Sequence, residues 1–264
     1  MRAGAVQLTS SADFDRNVET ADRLTRAAAQ DGAELVVLPE KWSGYGSAET
    51  MSAAADRAPE AIAWAQRTAK ELGIDLVAGS IATHGDADRI RNTSLHVGPD
   101  GEVKASYVKM HLFDVEVGGR EYRESATDEP GDTPVLTHAR GADIGLTVCY
   151  DLRFPGLFEA LDAHVFTLPS AFTLATTRDH WDVLVRARAI EQQAFIVAPN
   201  QAGEHDNGMR SGGRSMIVDP WGVVLAQAGE EGETHLTADL DLDELHAIRK
   251  KLPALANRRP EVHA

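Results

Sequence analysis

Short apolar runs recur along the chain between longer stretches of mixed apolar and charged residues, a pattern of strands alternating with helices. Residues 3–8 and 34–38 (ELVVL) read as buried strands, with a helix rich in Ala, Leu and Arg over 17–30. Residues 60–72 read as a helix with Gly73 placed to cap it, followed by a strand at 75–81. Apolar runs at 92–97 and 103–108 flank Gly98-Pro99-Asp100-Gly101, which predicts a hairpin. Residues 109–130 are long, charged and glycine-containing and read as a functional loop. Strands follow at 142–148, 164–168 and 195–198, with helices at 157–162 and 180–193. A polar, glycine-rich loop is expected at 204–213. A second hairpin, 215–218 with 223–226, surrounds Asp219-Pro220-Trp221-Gly222. A strand at 237–242 and a helix at 242–251 complete the pattern. The tail, 253–264, has little apolar content and is expected to fray or pack on a neighbour.

Strands alternating with helices predict an α/β fold with helices outside, and the hairpins make its sheets mixed. No linker, repeat or composition break divides the chain, so residues 1–264 are expected to form a single domain.

Composition narrows the function more than the fold. The 264 residues are 43% hydrophobic and 25% charged, ordinary for a globular protein. The formal net charge of -15 argues against nucleic acid and anionic membranes as partners. A local arginine can still bind a small anion at contact range. One cysteine permits no intramolecular disulfide and fits a reducing compartment. The first ten residues lack a basic segment followed by a long apolar run. No signal peptide or bilayer-spanning stretch is therefore expected, and the cytoplasm is the expected location.

Three polar residues fall at or just beyond strand ends: Glu40 after ELVVLP, Lys109 after ASYV and Cys149 after DIGLTV. The carboxyl ends of strands are where sites assemble in open α/β sheets. A carboxylate near a thiol can take its proton as sulfur attacks an amide or nitrile carbon. An ammonium and a backbone N–H can hold the charge that develops. The same acid can protonate the departing amine, and a water activated by a second base can release the acid from the thioester. Each residue also has a plain structural role open to it. A lone buried cysteine is usually a small hydrophobe, Glu40 could be a helix N-terminal charge, and Lys109 could be a solvated hairpin end.

Taken in order, the motifs Leu38-Pro39-Glu40, Tyr107 to Asp114 (YVKMHLFD) and Thr147 to Pro155 (TVCYDLRFP) resemble the nitrilase superfamily of carbon–nitrogen hydrolases. Tyr122-Arg123-Glu124-Ser125, Pro169-Ser170-Ala171-Phe172, His180-Trp181, Arg186 to Glu191 and Asp219 to Gly222 extend the likeness over nearly the whole chain. The resemblance implies a four-layer α-β-β-α sandwich with mixed sheets. It implies a triad of Glu40 (general base), Lys109 (oxyanion stabiliser) and Cys149 (nucleophile). A further glutamate, Glu124, would hold the lysine and the substrate or water, and the N–H of Tyr150 would be the second oxyanion donor. Asp151 and Arg153 resemble a structural pair, and the helix opened by His180 and Trp181 is expected to bury Trp181, Leu184, Ala187 and Ile190. A homodimer or larger homo-oligomer is implied by resemblance.

No cofactor is expected. The ten histidines show no zinc spacing, so His84, His96 and His111 read as loop or structural residues. Neither Gly118-Gly119 nor Gly212-Gly213 is a phosphate loop, since no Gly-Lys-Ser/Thr follows. The expected partners are a small amide and water. Within the superfamily the chain is similar to the branch holding omega-amidases and deaminated glutathione amidases, which act on amides of small carboxylate-bearing acids. Ala171, Phe172 and Trp42 are the expected substrate contacts, with Thr177 nearby, and Arg178 or Arg123 would meet the carboxylate. Other readings are an N-carbamoyl amino-acid hydrolase, a nitrilase, or a catalytically idle binding scaffold.

Overall fold

The computed structural model describes residues 1–86, 89–117 and 119–259. The expectations for Gly118 and for the end of the tail, 260–264, lie outside the described residues. The first half of the chain forms β1 (Arg2–Gln7), α1 (Phe14–Gln30), β2 (Leu35–Val37), α2 (Ala48–Asp56), α3 (Ala58–Leu72), β3 (Asp75–His84), β4 (Ile90–Val97) and β5 (Val103–Val108). A small hairpin, β6 (Asp114–Val117) and β7 (Arg120–Arg123), leads to β8 (Val135–Ala139), β9 (Ala142–Leu146), α4 (Pro155–Leu161), β10 (Val165–Thr167) and the short turn α5 (Leu174–Thr176). Then come α6 (Asp182–Gln192), β11 (Phe195–Ala198), β12 (Ala202–Glu204), β13 (Arg210–Gly212), β14 (Met216–Val218), β15 (Val224–Gln227), β16 (Thr234–Asp239) and α7 (Leu242–Lys251).

Two six-stranded sheets, β16-β1-β2-β3-β4-β5 and β15-β14-β11-β10-β9-β8, pack face to face. Each is mixed. Strands β1 to β3, and β9 to β11, run parallel, while the flanking pairs are antiparallel. The period of two along a strand decides what each residue meets. Leu35 and Val37 join Ala3, Ala5, Val77, Ile144 and Leu146 in the core between the sheets. Val36, between them, turns outward with Val6 and Leu76 onto Ala21, Leu24, Ala28 and Trp64 of α1 and α3. Leu157, Phe158, Val185 and Ala189 of α4 and α6 cover the second sheet. The layers are therefore α-β-β-α. Gly73 closes α3 at φ +65, as its placement predicts.

Four local expectations change. Residues 109–130 contain the β6–β7 hairpin and a 3₁₀ turn, Glu124–Ala126, and 204–213 contain the β12–β13 hairpin. Strand β8 and helix α2 were not anticipated. The helix expected at 180–193 is preceded by a π-helical turn, Thr177–Trp181, whose extra residue rotates the face that follows. Trp181, Val185, Arg188 and Ala189 are buried, whereas Leu184 and Ala187 are half-buried and Ile190 is exposed. Among the described residues, no helix is long and apolar enough to cross a membrane.

Candidate active site

Strand direction brings the key side chains to one end of the sandwich. Glu40 follows the carboxyl end of β2 and Cys149 that of β9. Strand β5 is antiparallel to β4, which is antiparallel to β3, so Lys109 emerges at the same end as Glu40. The segment carrying Glu40 is gripped from both sheets: its amide donates to Ser170 O at 3.4 Å, and Pro39 O accepts from Ser80 N at 3.3 Å. This close approach needs Gly79, at φ +51, because a Cβ there would sit 2.1 Å from Pro39 O.

Cys149 occupies the left-handed region, at φ +50, where a β-carbon is unfavourable. Such strain persists only where the surroundings enforce it. Here the Cys149 amide donates to Pro169 O at 2.9 Å, and the turn Cys149–Arg153 starts at once. Asp151 braces the turn. Its carboxylate accepts from Val148 N and Tyr107 Oη, each at 2.8 Å, and lies 2.7 Å from His111 Nδ1. Arg153 faces His180 and the rings of Tyr150 and Phe172 instead. The expected Asp151–Arg153 pair is thus two separate braces, one of which ties the nucleophile turn to the lysine strand.

The four acid, amine and thiol groups meet in a cavity of about 400 Å³. Lys109 Nζ lies 2.9 Å from Glu40 Oε1 and 2.7 Å from Glu124 Oε2. An ammonium has three donors, so one remains for the cavity. Glu40 Oε1 also accepts from Asn92 Nδ2 at 2.8 Å, and the Cys149 thiol lies beside the same carboxylate. Glu124 Oε2 accepts in addition from Phe113 N at 2.8 Å. The Ala171 backbone lies close to the sulfur. Lys109 is 1% and Glu40 3% exposed, so water screens little of this.

Burial opposes the charge of Lys109, yet Glu124 and Glu40 outweigh it and hold the ammonium well above its ordinary value. Burial likewise opposes the Glu124 carboxylate, and Lys109 and Lys41 overcome it, keeping it well below the carboxylate range. Burial and the neighbouring Glu40 push the Cys149 thiol up, against the pull of Lys109. The resting sulfur therefore keeps its proton, so any attack by it would need a base to take that proton.

Tyr150, Ala171 and Phe172 line the cavity, but three residues expected there do not. Trp42 is fully buried behind Glu40, its Nε1 donating to Ala78 O at 2.8 Å and its ring tilted against Trp64. Arg178 points away, paired through two bonds with Glu230. Thr177 is buried against Phe172 O and Gly212 rather than in the lining. Arg123 lines the cavity, but its guanidinium bonds to Glu121 at 2.7 Å. Sequence reading missed Lys41, Arg120 and Asn92. An asparagine in a strand otherwise buried, beside the strand that ends at the lysine, was the available signal for Asn92.

The carbon–nitrogen hydrolase family model matches residues 2–250. A deaminated glutathione amidase from Synechocystis is 38% identical, covering 97% of both chains. An omega-amidase from Xenopus tropicalis is 34% identical over 100% of this chain and 96% of its own. Among solved structures, the C. elegans NitFhit protein superposes with a TM-score of 0.93 at 33% identity, covering all of this chain and 66% of that one. A Nesterenkonia amidase carrying acrylamide on its active-site cysteine gives 0.84 at 28% identity, covering 100% and 98%.

Proposed function

The chain belongs to the carbon–nitrogen hydrolase family, enzymes acting on non-peptide C–N bonds, and within it we propose an amidase that cleaves the amide of a small carboxylate-bearing acid through a Cys149 thioester. The observation that carries this reading is the meeting of the Cys149 thiol, the Glu40 carboxylate and the Lys109 ammonium in one cavity. In the proposed cycle the sulfur attacks the amide carbon while Glu40 takes the thiol proton. The free N–H of Lys109 and the amide of Tyr150 hold the oxyanion. Glu40 then protonates the departing nitrogen, and the C–N bond breaks. Water attacks the thioester, yielding a proton to Glu40, and the acid leaves as the thiol is restored. Glu124 holds Lys109 in place throughout.

For the substrate's carboxylate, Arg120 replaces the arginines expected from sequence. It lines the cavity, and among the described residues no acid is shown within salt-bridge distance of it. The names of the relatives favour an ω-amide acid or deaminated glutathione. The test is release of ammonia or amine from a panel of such amides, matched neutral amides, N-carbamoyl amino acids and nitriles. Turnover of the anionic amides, abolished by Cys149→Ala, is expected; activity confined to nitriles or carbamoyl compounds would overturn the substrate class.

A cytoplasmic homodimer completes the proposal. The exposed apolar side chains of Val183 and Ile190 on α6 and of Trp221 and Val223 beside it support pairing through that helical face. Sedimentation of wild type against Trp221→Glu tests it.

A further inference from the structure

The cavity holds a second lysine that the cycle above does not use. Resting on that hydrolytic reading, we propose that Lys41 is a positioning residue: it holds Oε1 of Glu124 while Lys109 holds Oε2, fixing Glu124 as an anion and leaving Glu40 as the carboxylate that exchanges protons with Cys149.

Lys41 directly follows Glu40 and stands at φ +54, its amide donating to Ser80 Oγ at 3.1 Å. Glycine or asparagine would suit that backbone better. The left-handed turn lets two successive side chains, Glu40 and Lys41, reach one cavity. The lysine side chain is only 12% exposed, with Nζ 2.9 Å from Glu124 Oε1 and 3.7 Å from Asp128 Oδ2. Without it, Lys109 would be the single ammonium facing Glu40, Glu124 and Asp128, and crowded carboxylates cannot all stay ionised. With it, the carboxyl that is raised is that of Asp128. Burial and Glu124 raise its carboxyl above the usual range, and its Oδ2 has no hydrogen-bond partner. Glu124 keeps its charge because both oxygens meet ammonium groups.

The groups facing Glu124 are Lys41 after β2, Lys109 after β5, Phe113 N–H ahead of the hairpin and Asp114 at its start, Asp128 beyond it, and Glu40, Tyr45 and Cys149 within the cavity. Of these described groups, the two lysines are the cations that bond to its carboxylate. Removing Lys41 therefore raises the Glu124 carboxyl. It protonates at higher pH on acidification and releases Lys109.

The experiment is the pH profile of kcat/KM for wild type, Lys41→Met and Lys41→Arg with a neutral primary amide. The acid limb in Lys41→Met should move up by about one pH unit, a tenfold deeper loss below the limb, and Lys41→Arg should restore it. In a Glu124→Gln background, Lys41→Met should add no further shift. A carbon-13 titration of the Glu124 carboxyl, assigned with Glu124→Gln, reads the same rise without turnover. Should Lys41→Met fail to fold, Lys41→Gln is read in its place. A folded variant with an unmoved limb and an unmoved carboxyl overturns the assignment. Wild type inactive on every amide, or an active Cys149→Ala, defeats the hydrolytic reading instead.

Discussion

The two ends of the sandwich each bury a carboxylate among basic side chains, yet they are built for different ends. At the amino ends of the parallel strands, Asp75 Oδ1 meets His96 Nε2 at 3.0 Å and Oδ2 meets Arg140 Nε at 2.7 Å. His96 Nδ1 reaches Thr137 of the opposite sheet at 2.9 Å, and Arg140 also bonds to Gly73 O. Each carboxylate oxygen there has a protein partner, and the chain's single cysteine lies at the other end. At the carboxyl ends, Glu40, Lys109, Glu124 and Lys41 are paired as tightly. There the pairing stops short of completion: a thiol in a left-handed backbone and an ammonium N–H face about 400 Å³ of open cavity. Buried charge alone marks a brace between sheets. Buried charge with a strained nucleophile and empty space marks chemistry.

The sharpest way to break this contrast is Cys149→Ala. Amide turnover should fall by about 10⁴-fold or more, since removing a nucleophile from a cooperating set abolishes its mechanism. The melting temperature should barely move, because a small buried side chain gives way to a slightly smaller one. Residual turnover above one per cent would show that the open end does not work through the thiol.

Asp75→Asn should do the reverse. It breaks a buried ionic pair and costs roughly 3 kcal/mol of stability, while kcat/KM at 25 °C stays unchanged. Denaturant unfolding and steady-state kinetics on one sample check both halves. The pH dependence adds a sign. Burial opposes the charge of Asp75, but the bonds from His96 and Arg140 prevail, so its folded pKa lies below the unfolded one. That stability is fully present above the unfolded carboxyl pKa of about 3.9 and is lost as pH falls through the folded value. Wild type should lose stability below about pH 4 with a slope that Asp75→Asn lacks.

Sequence made one end far more legible than the other, for a physical reason. Glu40, Lys109 and Cys149 each follow a short apolar strand, so their strand-end placement could be read locally, and ordered motifs supplied the rest. Lys41 and Glu124 are 83 residues apart, and Tyr107 and Asp151 44 apart; their meetings depend on how two sheets stack. Trp42 misled because an aromatic beside a candidate catalytic residue can just as well fill the core behind it, as its bond to Ala78 O shows. The stripe on α6 misled because a π turn is invisible to a 3.6-residue period. The amino-end brace left no motif, since Asp75, His96 and Arg140 each look like ordinary surface-prone residues until the fold buries them.

Arg120→Gln asks where the functional end stops. If its guanidinium meets the substrate carboxylate, KM for an anionic amide should rise about tenfold, the worth of one charge-assisted hydrogen bond. Turnover at saturation should change less than about twofold, because the contact is equal in ground and transition states. A neutral amide of the same length should show no change. Equal losses on both substrates would make Arg120 a prop for the β6–β7 hairpin.

The smallest effect is expected from Arg178→Gln, and it sharpens the same boundary. Both arginines are exposed and both lie near the carboxyl end, so charge and rough position do not separate them. Their partners do. Arg178 spends its guanidinium on Glu230 in a two-point pair, whereas Arg120 lies over the Tyr122 ring and lines the cavity. An exposed pair of this kind adds little to stability in high dielectric, and a guanidinium already committed to a carboxylate has little left for a second anion. Arg178→Gln should therefore leave KM and kcat within about twofold for anionic and neutral amides alike. A selective rise in KM for the anionic amide would mean that the pair with Glu230 opens to receive substrate. The functional end would then reach past the cavity wall to the π turn.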